Sequence, residues 1–495
     1  MIFKRSKNTE LNKEDEKAGN KQIRETANKD ILFVTYVFVL VFAALISYVA
    51  YFAAIKSDSV INNAYNSKRA ELLAQKVIRG EILSRDGEVL AKTVYEDGTE
   101  VREYPYGPLF AHSVGFFTQG SIGVESIANF TLLKSDDPVG LRLRNDLNGI
   151  KNRGDNVTTT FDIELQKTAD LALGDRKGAV LVLDVRTGEI LAMVSKPDFD
   201  PGRIDEIWEA VNEDTENSPL LNRATQGVYP PGSTFKIVTA LEFMKEYPEA
   251  INDYEFDCNG SFEYEDVKIS CYHDQKHGHL DLGSSFARSC NSSFAHITSG
   301  LNRESFNTTC NELLFDSRLP SPFSYKKSYV DLKPDTSIGE VIQAGIGQGK
   351  TMITPIHMAM ITSAIANNGI LMRPMVIKTV KNAGGSIVRR YEPQEYGRLV
   401  SEDNAAVLRS LMREVVVNGT GSKLLGTQGY EAAGKTGSAE YSKNKSLSHA
   451  WFTGFAPFDD PRISVTVIVE GAGTGGDVAA PIARSVFDTW YANAH

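Results

Sequence analysis

A long apolar segment stands near the start of the chain, and its length predicts a membrane span. Residues 31–55 contain no charged side chain. With a rise of about 1.5 Å per residue, a helix of this length crosses a hydrocarbon core of about 30 Å. The run also exceeds the apolar part of a cleavable signal peptide. We therefore predict a transmembrane helix over residues 31–55. Residues 1–30 are dense in charge and poor in large apolar side chains, so we expect a disordered tail there.

After the span, the pattern of apolar positions separates a small region from a large one. Residues 56–150 contain short strand-like segments and a hairpin signal at Asp86-Gly87, and we predict a small pedestal domain there. Residues 151–495 contain β-rich runs at 178–195 and 449–472, helical patterns between them and an amphipathic C-terminal helix. This order predicts an α+β catalytic domain, in which one antiparallel sheet is covered by helices.

The distribution of charge predicts the orientation of the chain in the membrane and argues against nucleic acid as a partner. Basic residues crowd the N-terminal side of the span, so the positive-inside rule places the tail in the cytoplasm and the region after residue 56 outside. The net charge of −10 argues against a nucleic-acid-binding surface, which needs clustered Lys and Arg. The sequence contains no glycine-rich nucleotide-binding fingerprint, in keeping with an external domain.

Candidate chemistry begins at Ser233, where an irregular Pro-Pro-Gly segment ends and a helical pattern starts. The helix N-terminus offers free backbone N–H groups and a dipole that favours nearby negative charge. Lys236 lies three residues later, one turn away on the same face. A serine hydroxyl becomes a nucleophile when a base takes its proton. Lys236 can be that base if burial or a second cation favours its neutral form. Alone the pair is a weak signal, because a capping serine beside a surface lysine has the same pattern.

Two later strings complete a set of three. Ser289-Cys290-Asn291 lies in a helical context, and Lys435-Thr436-Gly437 precedes an apolar strand. Each string alone is an ordinary helix or turn sequence. In the order Ser-x-x-Lys, Ser-x-Asn, Lys-Thr-Gly they are the signature of β-lactamases and penicillin-binding proteins. Together they predict an active-site serine acyltransferase.

The chain resembles a class B, monofunctional penicillin-binding protein from the apolar span to the C-terminus. Beyond the three motifs, the similarity rests on Arg79-Gly80-Glu81-Ile82, Gly345-Ile346-Gly347-Gln348-Gly349 and His449-Ala450-Trp451-Phe452. The resemblance implies the penicillin-binding and serine β-lactamase-like α/β (α+β) fold, with a five-stranded antiparallel sheet flanked by helices, in the bacterial cell membrane. It also implies a peptidoglycan D,D-transpeptidase that β-lactams acylate and inhibit, because the β-lactam ring mimics the acyl donor.

The resemblance assigns three catalytic roles. Ser233 would attack the penultimate D-Ala carbonyl of a stem peptide and expel D-Ala, while Lys236 takes its proton. Ser289 would relay a proton toward the leaving amine. The amine of a second stem peptide would then accept the acyl group and complete the cross-link.

The resemblance also assigns the substrate-binding residues. The Asn291 amide would hold the substrate backbone, and Lys435 would supply positive potential. Thr436 would bind the terminal carboxylate, and Gly437 would leave room for the substrate to pair with the strand. The backbone N–H groups of Ser438 and of the nucleophile would form the oxyanion hole.

Other activities and partners follow from the same resemblance. A D,D-carboxypeptidase, a β-lactamase or a β-lactam sensor would use the same acylation chemistry. A non-catalytic scaffold of a wall-building complex is an alternative of another class, but it would tolerate loss of motif residues and all three motifs are intact. About a hundred residues separate the span from the catalytic region, too few for the glycosyltransferase domain of class A relatives. We therefore expect a separate membrane glycan polymerase as a partner.

Cysteine and histidine residues between the first two motifs offer metal-ligating side chains. Cys271 with His273, His277 and His279 fits no standard structural zinc spacing, and a serine acyltransferase needs no metal, so we predict neither metal nor cofactor. Cys258 and Cys271 flank a short loop of an external domain, where a disulfide and two free thiols both remain open. Cys290 is expected to be a free, small core residue.

Overall fold

A computed structural model of the chain describes residues 5–52, 72–427, 429–440 and 448–494. The chain divides into two compact units, residues 1–67 and 68–495. The first contains helix α1 (Arg5–Tyr51). Within α1, the 21 residues Ile31–Tyr51 have a mean hydropathy of 2.5 and are long and apolar enough to cross a membrane. The predicted end of the span at residue 55 and the predicted start of the pedestal at residue 56 lie outside the described residues.

The polar tail differs from its prediction. Residues 5–30, expected to be disordered, continue the helix of the apolar span. Forming the first turn is the costly step in helix formation, whereas each further residue adds one hydrogen bond. The tail is rich in Lys and Glu, which are good helix formers, and contains no proline. A helical span therefore allows the helix to extend into a segment that would not form a helix by itself.

The second unit mixes strands and helices. Its described strands are β1 (Val77–Ile78), β2 (Ile82–Leu83), β3 (Val89–Glu96), β4 (Thr99–Glu103), β5 (Asn152–Arg153), β6 (Asn156–Thr159), β7 (Gly178–Asp184), β8 (Ile190–Lys196), β9 (Glu255–Cys258), β10 (Ser261–Tyr264), β11 (Val267–Ser270), β12 (Gly278–Asp281), β13 (Ile370–Met372), β14 (Ile377–Lys381), β15 (Ile387–Arg390), β16 (Glu395–Arg398), β17 (Ala433–Glu440), β18 (Ser448–Ala456) and β19 (Ile463–Val469). Its described α-helices are α2 (Gly123–Ile127), α3 (Asn129–Leu132), α4 (Val139–Leu147), α5 (Ile163–Leu173), α6 (Ile204–Glu213), α7 (Lys236–Glu246), α8 (Leu282–Ala287), α9 (Asn291–Gly300), α10 (Arg303–Glu312), α11 (Ile338–Gly345), α12 (Pro355–Ala366), α13 (Glu402–Val417) and α14 (Ala480–Ala494).

The central sheet has five strands in the order β17-β18-β19-β7-β8, and every neighbouring pair is antiparallel. The two β-rich runs of the sequence form the hairpins β7–β8 and β18–β19 of this sheet. The chain therefore supplies the sheet from both ends of the catalytic region, as the pattern predicted. Strand β17 lies at the edge, so one side of its backbone faces away from the sheet.

Both faces of this sheet are covered. On β7, Val180 packs in one core with Leu165 of α5 and Phe487 of α14. Its neighbour Leu181 packs in a second core with Ile361 of α12. Because successive side chains of a strand point to opposite faces, this alternation places helices on both sides of the sheet. The predicted sheet flanked by helices is confirmed, and the edge at β17 is left beside the turn that carries Ser233.

A second sheet, in the order β15-β14-β6-β2-β3-β4, joins strands from both sides of the pedestal boundary predicted at residue 150. Asp86-Gly87 forms the turn between β2 and β3, as predicted, with Gly87 at a φ of 94°. Beside this sheet, the buried Glu125 carboxylate accepts hydrogen bonds from Arg79 Nε at 2.7 Å and Arg102 Nε at 2.8 Å. A buried charge is tolerated when it is paired and hydrogen-bonded, which explains the arginine that begins the pedestal motif.

Candidate active site

Ser233 lies in a 3₁₀ turn, Gly232–Phe235, that leads directly into α7. The turn is held on two sides. The Gly232 N–H donates to the Gly347 carbonyl at 2.9 Å, and Trp451 Nε1 donates at 3.1 Å to the Pro230 carbonyl before the turn. The other residues of the turn are buried, whereas Ser233 is partly exposed. A fixed turn therefore presents one hydroxyl to the cleft, at the start of a helix as predicted.

The Lys236 amine is the nearest possible base. Its Nζ lies 3.1 Å from Ser233 Oγ, 2.7 Å from the Ser289 carbonyl oxygen and 2.7 Å from Asn291 Oδ1. The Lys236 side chain is fully buried. A neutral amine has two N–H donors and one lone pair. The carbonyl and amide oxygens can only accept, so they take both donors and leave the lone pair for the Ser233 hydroxyl.

Ser289 was predicted in a helical context, but it lies in a break between two helices: α8 ends at Ala287 and α9 begins at Asn291. Its φ of 57° lies in the left-handed region, which costs a non-glycine residue on the order of 1 kcal/mol or more. Its Oγ lies 3.4 Å from Lys236 Nζ and accepts a hydrogen bond from Lys435 Nζ at 2.9 Å. The break thus places a hydroxyl between two lysine amines.

Asn291 is the first residue of α9 and faces the same cluster. Its Oδ1 is occupied by Lys236, and its Nδ2 donates to the Ser270 carbonyl at 3.2 Å. An amide nitrogen has two hydrogens, so one donor remains for a substrate carbonyl.

The Lys-Thr-Gly string lies on the edge strand β17, which runs past the Ser233 turn. Lys435 is buried, and its Nζ donates to Ser289 Oγ and to the Thr436 carbonyl, the latter at 3.1 Å. A Cβ added at Gly437 would lie 3.0 Å from the Pro231 carbonyl oxygen, closer than most side-chain contacts. Glycine therefore lets the strand pass close to the turn, whereas a larger side chain would have to push the two apart.

Ser438 follows on the same strand and closes the cleft. A Cβ added at Gly232 would lie 2.8 Å from the Ser438 carbonyl oxygen, so the strand backbone directly contacts the turn before the nucleophile. The structure thus brings together all eight residues that the sequence singled out: Ser233, Lys236, Ser289, Asn291, Lys435, Thr436, Gly437 and Ser438.

Burial sets the protonation of the two lysines. Desolvation lowers the pKa of Lys236 from 10.5 to about 8. Burial, together with repulsion from Lys236, lowers the pKa of Lys435 well below its ordinary value. Two buried ammonium groups that share one serine hydroxyl disfavour each other's charge. A neutral amine is therefore available close to neutral pH, as a lysine base requires.

Thr420 also lies at the site, although none of the three motifs contains it. Its hydroxyl forms a short hydrogen bond with the Thr436 hydroxyl, so two hydroxyls lie side by side at the cleft edge. The signal in the sequence is Gly419-Thr420-Gly421, a small loop after α13. A Cβ at Gly419 would lie 2.1 Å from the Ala287 carbonyl oxygen, which shows how closely this loop packs on α8.

Comparison with known proteins agrees with this geometry. Residues 178–488 match the penicillin binding protein transpeptidase domain, and residues 79–157 match the penicillin binding protein A dimerisation domain. The peptidoglycan D,D-transpeptidase PbpA of Mycolicibacterium smegmatis is 31% identical over 438 residues, which cover 82% of this chain and 88% of the relative. The chain belongs to the class B penicillin-binding proteins. The family and the enzyme class predicted from the motifs, a serine-type D,D-transpeptidase, are confirmed.

Solved structures resemble this penicillin-binding protein over most of its length. The D,D-transpeptidase domain of a peptidoglycan glycosyltransferase from Eggerthella lenta is 31% identical, with a TM-score of 0.76, and the match covers 85% of this chain and 99% of that one. Penicillin-binding protein A of M. tuberculosis, solved as a ceftriaxone acyl-enzyme, is 29% identical with a TM-score of 0.77, covering 84% and 99%. These matches confirm the predicted fold class.

The structure settles the pairing of two cysteines that the sequence left open. Cys258 and Cys271 are free thiols with sulfurs 3.7 Å apart, beyond the length of a disulfide bond. The Sγ atoms of Cys258, Cys271 and Cys290 and one ring nitrogen of His277 all lie within 4.8 Å of one another. Cys290 is a free, buried core residue as predicted, and it also belongs to this cluster of metal-ligating groups. Two of the histidines considered as ligands, His273 and His279, lie outside that cluster.

Proposed function

We propose that this penicillin-binding protein cross-links peptidoglycan stem peptides through an ester on Ser233, and that β-lactams acylate the same oxygen. The observation that carries the proposal is the distance of 3.1 Å between Ser233 Oγ and the buried Nζ of Lys236. Intact-mass analysis after treatment with benzylpenicillin, with peptide mapping of the adduct, tests the assignment of the nucleophile.

The first step forms the tetrahedral intermediate. Neutral Lys236 takes the proton of the Ser233 hydroxyl as Oγ bonds to the penultimate D-Ala carbonyl carbon. The carbonyl π electrons move to oxygen, where the backbone N–H groups of Ser233 and Ser438 stabilise the negative charge. Support for this pairing comes from the close contact between the Ser233 turn and β17 at Gly232. The free donor of Asn291 is suited to hold the substrate backbone.

The second step needs a proton for the leaving D-Ala nitrogen. Ser289 Oγ lies between Lys236 Nζ, at 3.4 Å, and Lys435 Nζ, at 2.9 Å. The oxyanion electrons re-form the carbonyl as the C–N bond breaks, which leaves the acyl-enzyme; Ser289 gives its proton to the departing amine and recovers one from protonated Lys236. Lys236 is then neutral again and can deprotonate the amine of the second stem peptide, whose attack expels Ser233 Oγ; Lys236, 3.1 Å away, returns the proton to that oxygen.

The substrate ends in a carboxylate, and we propose Thr436 as its hydrogen-bond donor, next to the Lys435 amine, whose protonated form the negative charge of the bound carboxylate would favour. A hydrogen bond to a charged group is worth about 1.5–3 kcal/mol, so Thr436→Val should slow benzylpenicillin acylation by roughly ten- to a hundredfold. Stopped-flow measurement of the second-order acylation rate gives this number.

Thr436→Ser is the matched control, because it keeps the hydroxyl and should acylate within a few-fold of the wild type. Thr436→Val also breaks the hydrogen bond between Thr436 and Thr420. Thr420→Val breaks the same hydrogen bond but keeps the Thr436 hydroxyl, so a smaller effect on the rate in Thr420→Val would show that the loss of this bond is not the cause. An unchanged rate in Thr436→Val at a matched melting temperature would remove Thr436 from the site.

We propose that the chain is anchored by residues 31–55, with its N-terminus in the cytoplasm and its catalytic domain outside the cell membrane. The apolar part of α1 and the basic residues before it support this orientation. We also propose the domain division 1–30, 31–55, 56–150 and 151–495 as tail, anchor, pedestal and transpeptidase. Labelling of a cysteine placed before residue 31 by an impermeant maleimide in intact cells would contradict the orientation.

We propose that the anchor and the pedestal dock a separate membrane glycan polymerase. The proposal rests on the about one hundred residues between anchor and transpeptidase, which leave little room for a polymerase domain. The full chain should co-purify with glycan polymerase activity from detergent-solubilised membranes, and a variant that lacks residues 31–150 should lose it. Glycan polymerisation by the purified chain alone is the result that rules the partner out.

A further inference from the structure

Four ligand atoms converge beside the Ser289 break. Cys258 ends β9, Cys271 follows β11, His277 precedes β12, and Cys290 immediately precedes α9. The three cysteines are buried, and His277 is partly exposed. No two of these residues are neighbours in sequence, so their convergence is a product of the fold.

Their spacing is that of ligands around one tetrahedral ion. The distances are 3.7 Å from Cys258 Sγ to Cys271 Sγ, 3.6 Å from Cys271 Sγ to Cys290 Sγ and 3.4 Å from Cys258 Sγ to His277 Nδ1. Zinc–sulfur bonds of about 2.3 Å and zinc–nitrogen bonds of about 2.0–2.1 Å at tetrahedral angles place sulfurs about 3.8 Å apart, and sulfur about 3.5 Å from nitrogen. These three separations match the expected values, and the other three pairs of ligand atoms lie within 4.8 Å.

The surrounding segment packs on the main core through Ile269 of β11 and the partly buried Phe256 and Phe262, and it also has a small core cluster of its own. It consists of two short antiparallel ladders, β9 with β12 and β10 with β11. Their shared core cluster contains Cys258, Cys271, Cys290 and Leu280, with Phe256 packed against it. Two-stranded ladders contribute little stability by themselves, so a bond that links both ladders would add to what the packing supplies. A structural zinc ion contributes folding free energy directly to small units of this kind.

Polar groups around the cluster are placed to support thiolates. The Ser293 N–H donates to Cys290 Sγ at 3.4 Å, and Ser292 Oγ lies 3.0 Å from Cys271 Sγ. The Arg288 guanidinium donates to the His277 carbonyl at 3.2 Å and fixes the backbone of that histidine. Outer hydrogen bonds of this type orient metal ligands and stabilise their charge.

We propose that Cys258, Cys271, Cys290 and His277 Nδ1 bind one structural Zn²⁺ ion. Three thiols lose their protons to solvent on binding, and three thiolates with one Zn²⁺ and a neutral imidazole leave a net charge of −1. Soft thiolate ligands with imidazole select zinc over magnesium or calcium. The four protein ligands fill a tetrahedral shell, so the ion has a structural role.

The proposed zinc site is linked to the active site through Cys290, which stands between Ser289 and Asn291 in the sequence. A metal bond to Cys290 would hold the backbone break in which Ser289 adopts its left-handed φ of 57°. Cys258, Cys271 and His277 are therefore positioning residues for the Ser-x-Asn motif. This consequence rests on the function proposed above, whereas the metal content does not.

The first test is the metal content of the full chain, purified in detergent without chelator from zinc-containing medium. Elemental analysis should find one zinc per chain, and X-ray absorption should find three sulfur ligands at about 2.3 Å and one nitrogen ligand. Cys258→Ser and His277→Ala should lower the zinc content at least tenfold. His279→Ala, two residues further along in β12 and outside the cluster, and Ser233→Ala, which removes only the nucleophile, should keep it.

The second test removes zinc from the wild type with a chelator under reducing conditions. A displacement of catalytic groups by about 1 Å can cost about a hundredfold in rate. Benzylpenicillin acylation should therefore fall about ten- to a hundredfold and recover when Zn²⁺ is added back. Zinc-free wild type by elemental analysis, or a disulfide among Cys258, Cys271 and Cys290, overturns the site. A zinc-depleted chain that acylates at the original rate overturns the positioning role.

Discussion

Ser233→Ala should form no covalent adduct with benzylpenicillin under conditions in which the wild type is fully acylated. The substitution removes the hydroxyl that Lys236 Nζ approaches at 3.1 Å, and no other atom of the side chain can form the ester. In serine hydrolases, loss of the nucleophile costs on the order of a millionfold in rate. Intact-mass spectrometry should show the unmodified mass after prolonged incubation.

A second serine lies close enough to make this test discriminating. Ser289 Oγ is 3.4 Å from the same lysine amine, so Ser289 is the competing candidate for the nucleophile. Ser289→Ala should therefore still give an adduct that maps to Ser233, although more slowly. An adduct that persists in Ser233→Ala, or that maps to Ser289 in the wild type, contradicts the assignment. Melting temperatures close to that of the wild type verify that both variants are folded.

Lys236→Met should reduce the acylation rate by about a hundred- to ten-thousandfold, the usual contribution of a positioned general base. Methionine fills a similar volume in this fully buried position, whereas the larger planar group of Lys236→Arg has to displace its neighbours. The arginine variant should also be slow, because arginine keeps its proton at physiological pH. An acylation rate near that of the wild type in either variant would show that Lys236 is not the base.

The same lysine should determine the pH dependence of acylation. Burial lowers the pKa of Lys236 to about 8, and the neutral form that acts as base predominates above that pKa. The wild-type acylation rate should therefore rise with pH, about tenfold per unit below the pKa, and level off above about pH 8. Lys236→Met should lose this inflection. A flat wild-type profile between pH 6 and 9 would place the base elsewhere.

Lys236→Met should also destabilise the protein. Removal of the Lys236 amine leaves the Ser289 carbonyl and Asn291 Oδ1 without the donor that both use at 2.7 Å. A buried acceptor without a partner costs about 1–3 kcal/mol, so Lys236→Met should melt at a lower temperature than Ser233→Ala. The acylation rates are therefore compared well below the melting temperature of the methionine variant.

Local sequence determined the helices and strands of the catalytic domain and the three motifs that carry the catalytic residues. The apolar runs at 178–195 and 449–472 form strands because their pattern suits a sheet with helices on both faces. The three motifs are short strings whose residues act within one turn or one strand. Composition misjudged residues 5–30, because helix propagation depends on the neighbouring span and not on the segment alone.

The tertiary structure alone decided which atoms meet. Ser289 and Lys435 are 146 positions apart in the chain, and their hydrogen bond exists because β17 closes the sheet beside the break before α9. The depression of the pKa values of both lysines follows from burial, which no local pattern encodes. The irregular spacing of Cys258, Cys271, His277 and Cys290 matched no metal motif, because these residues come from two ladders and a helix start. Sequence specifies local conformation, whereas a site made of distant segments requires the packing that brings their side chains together.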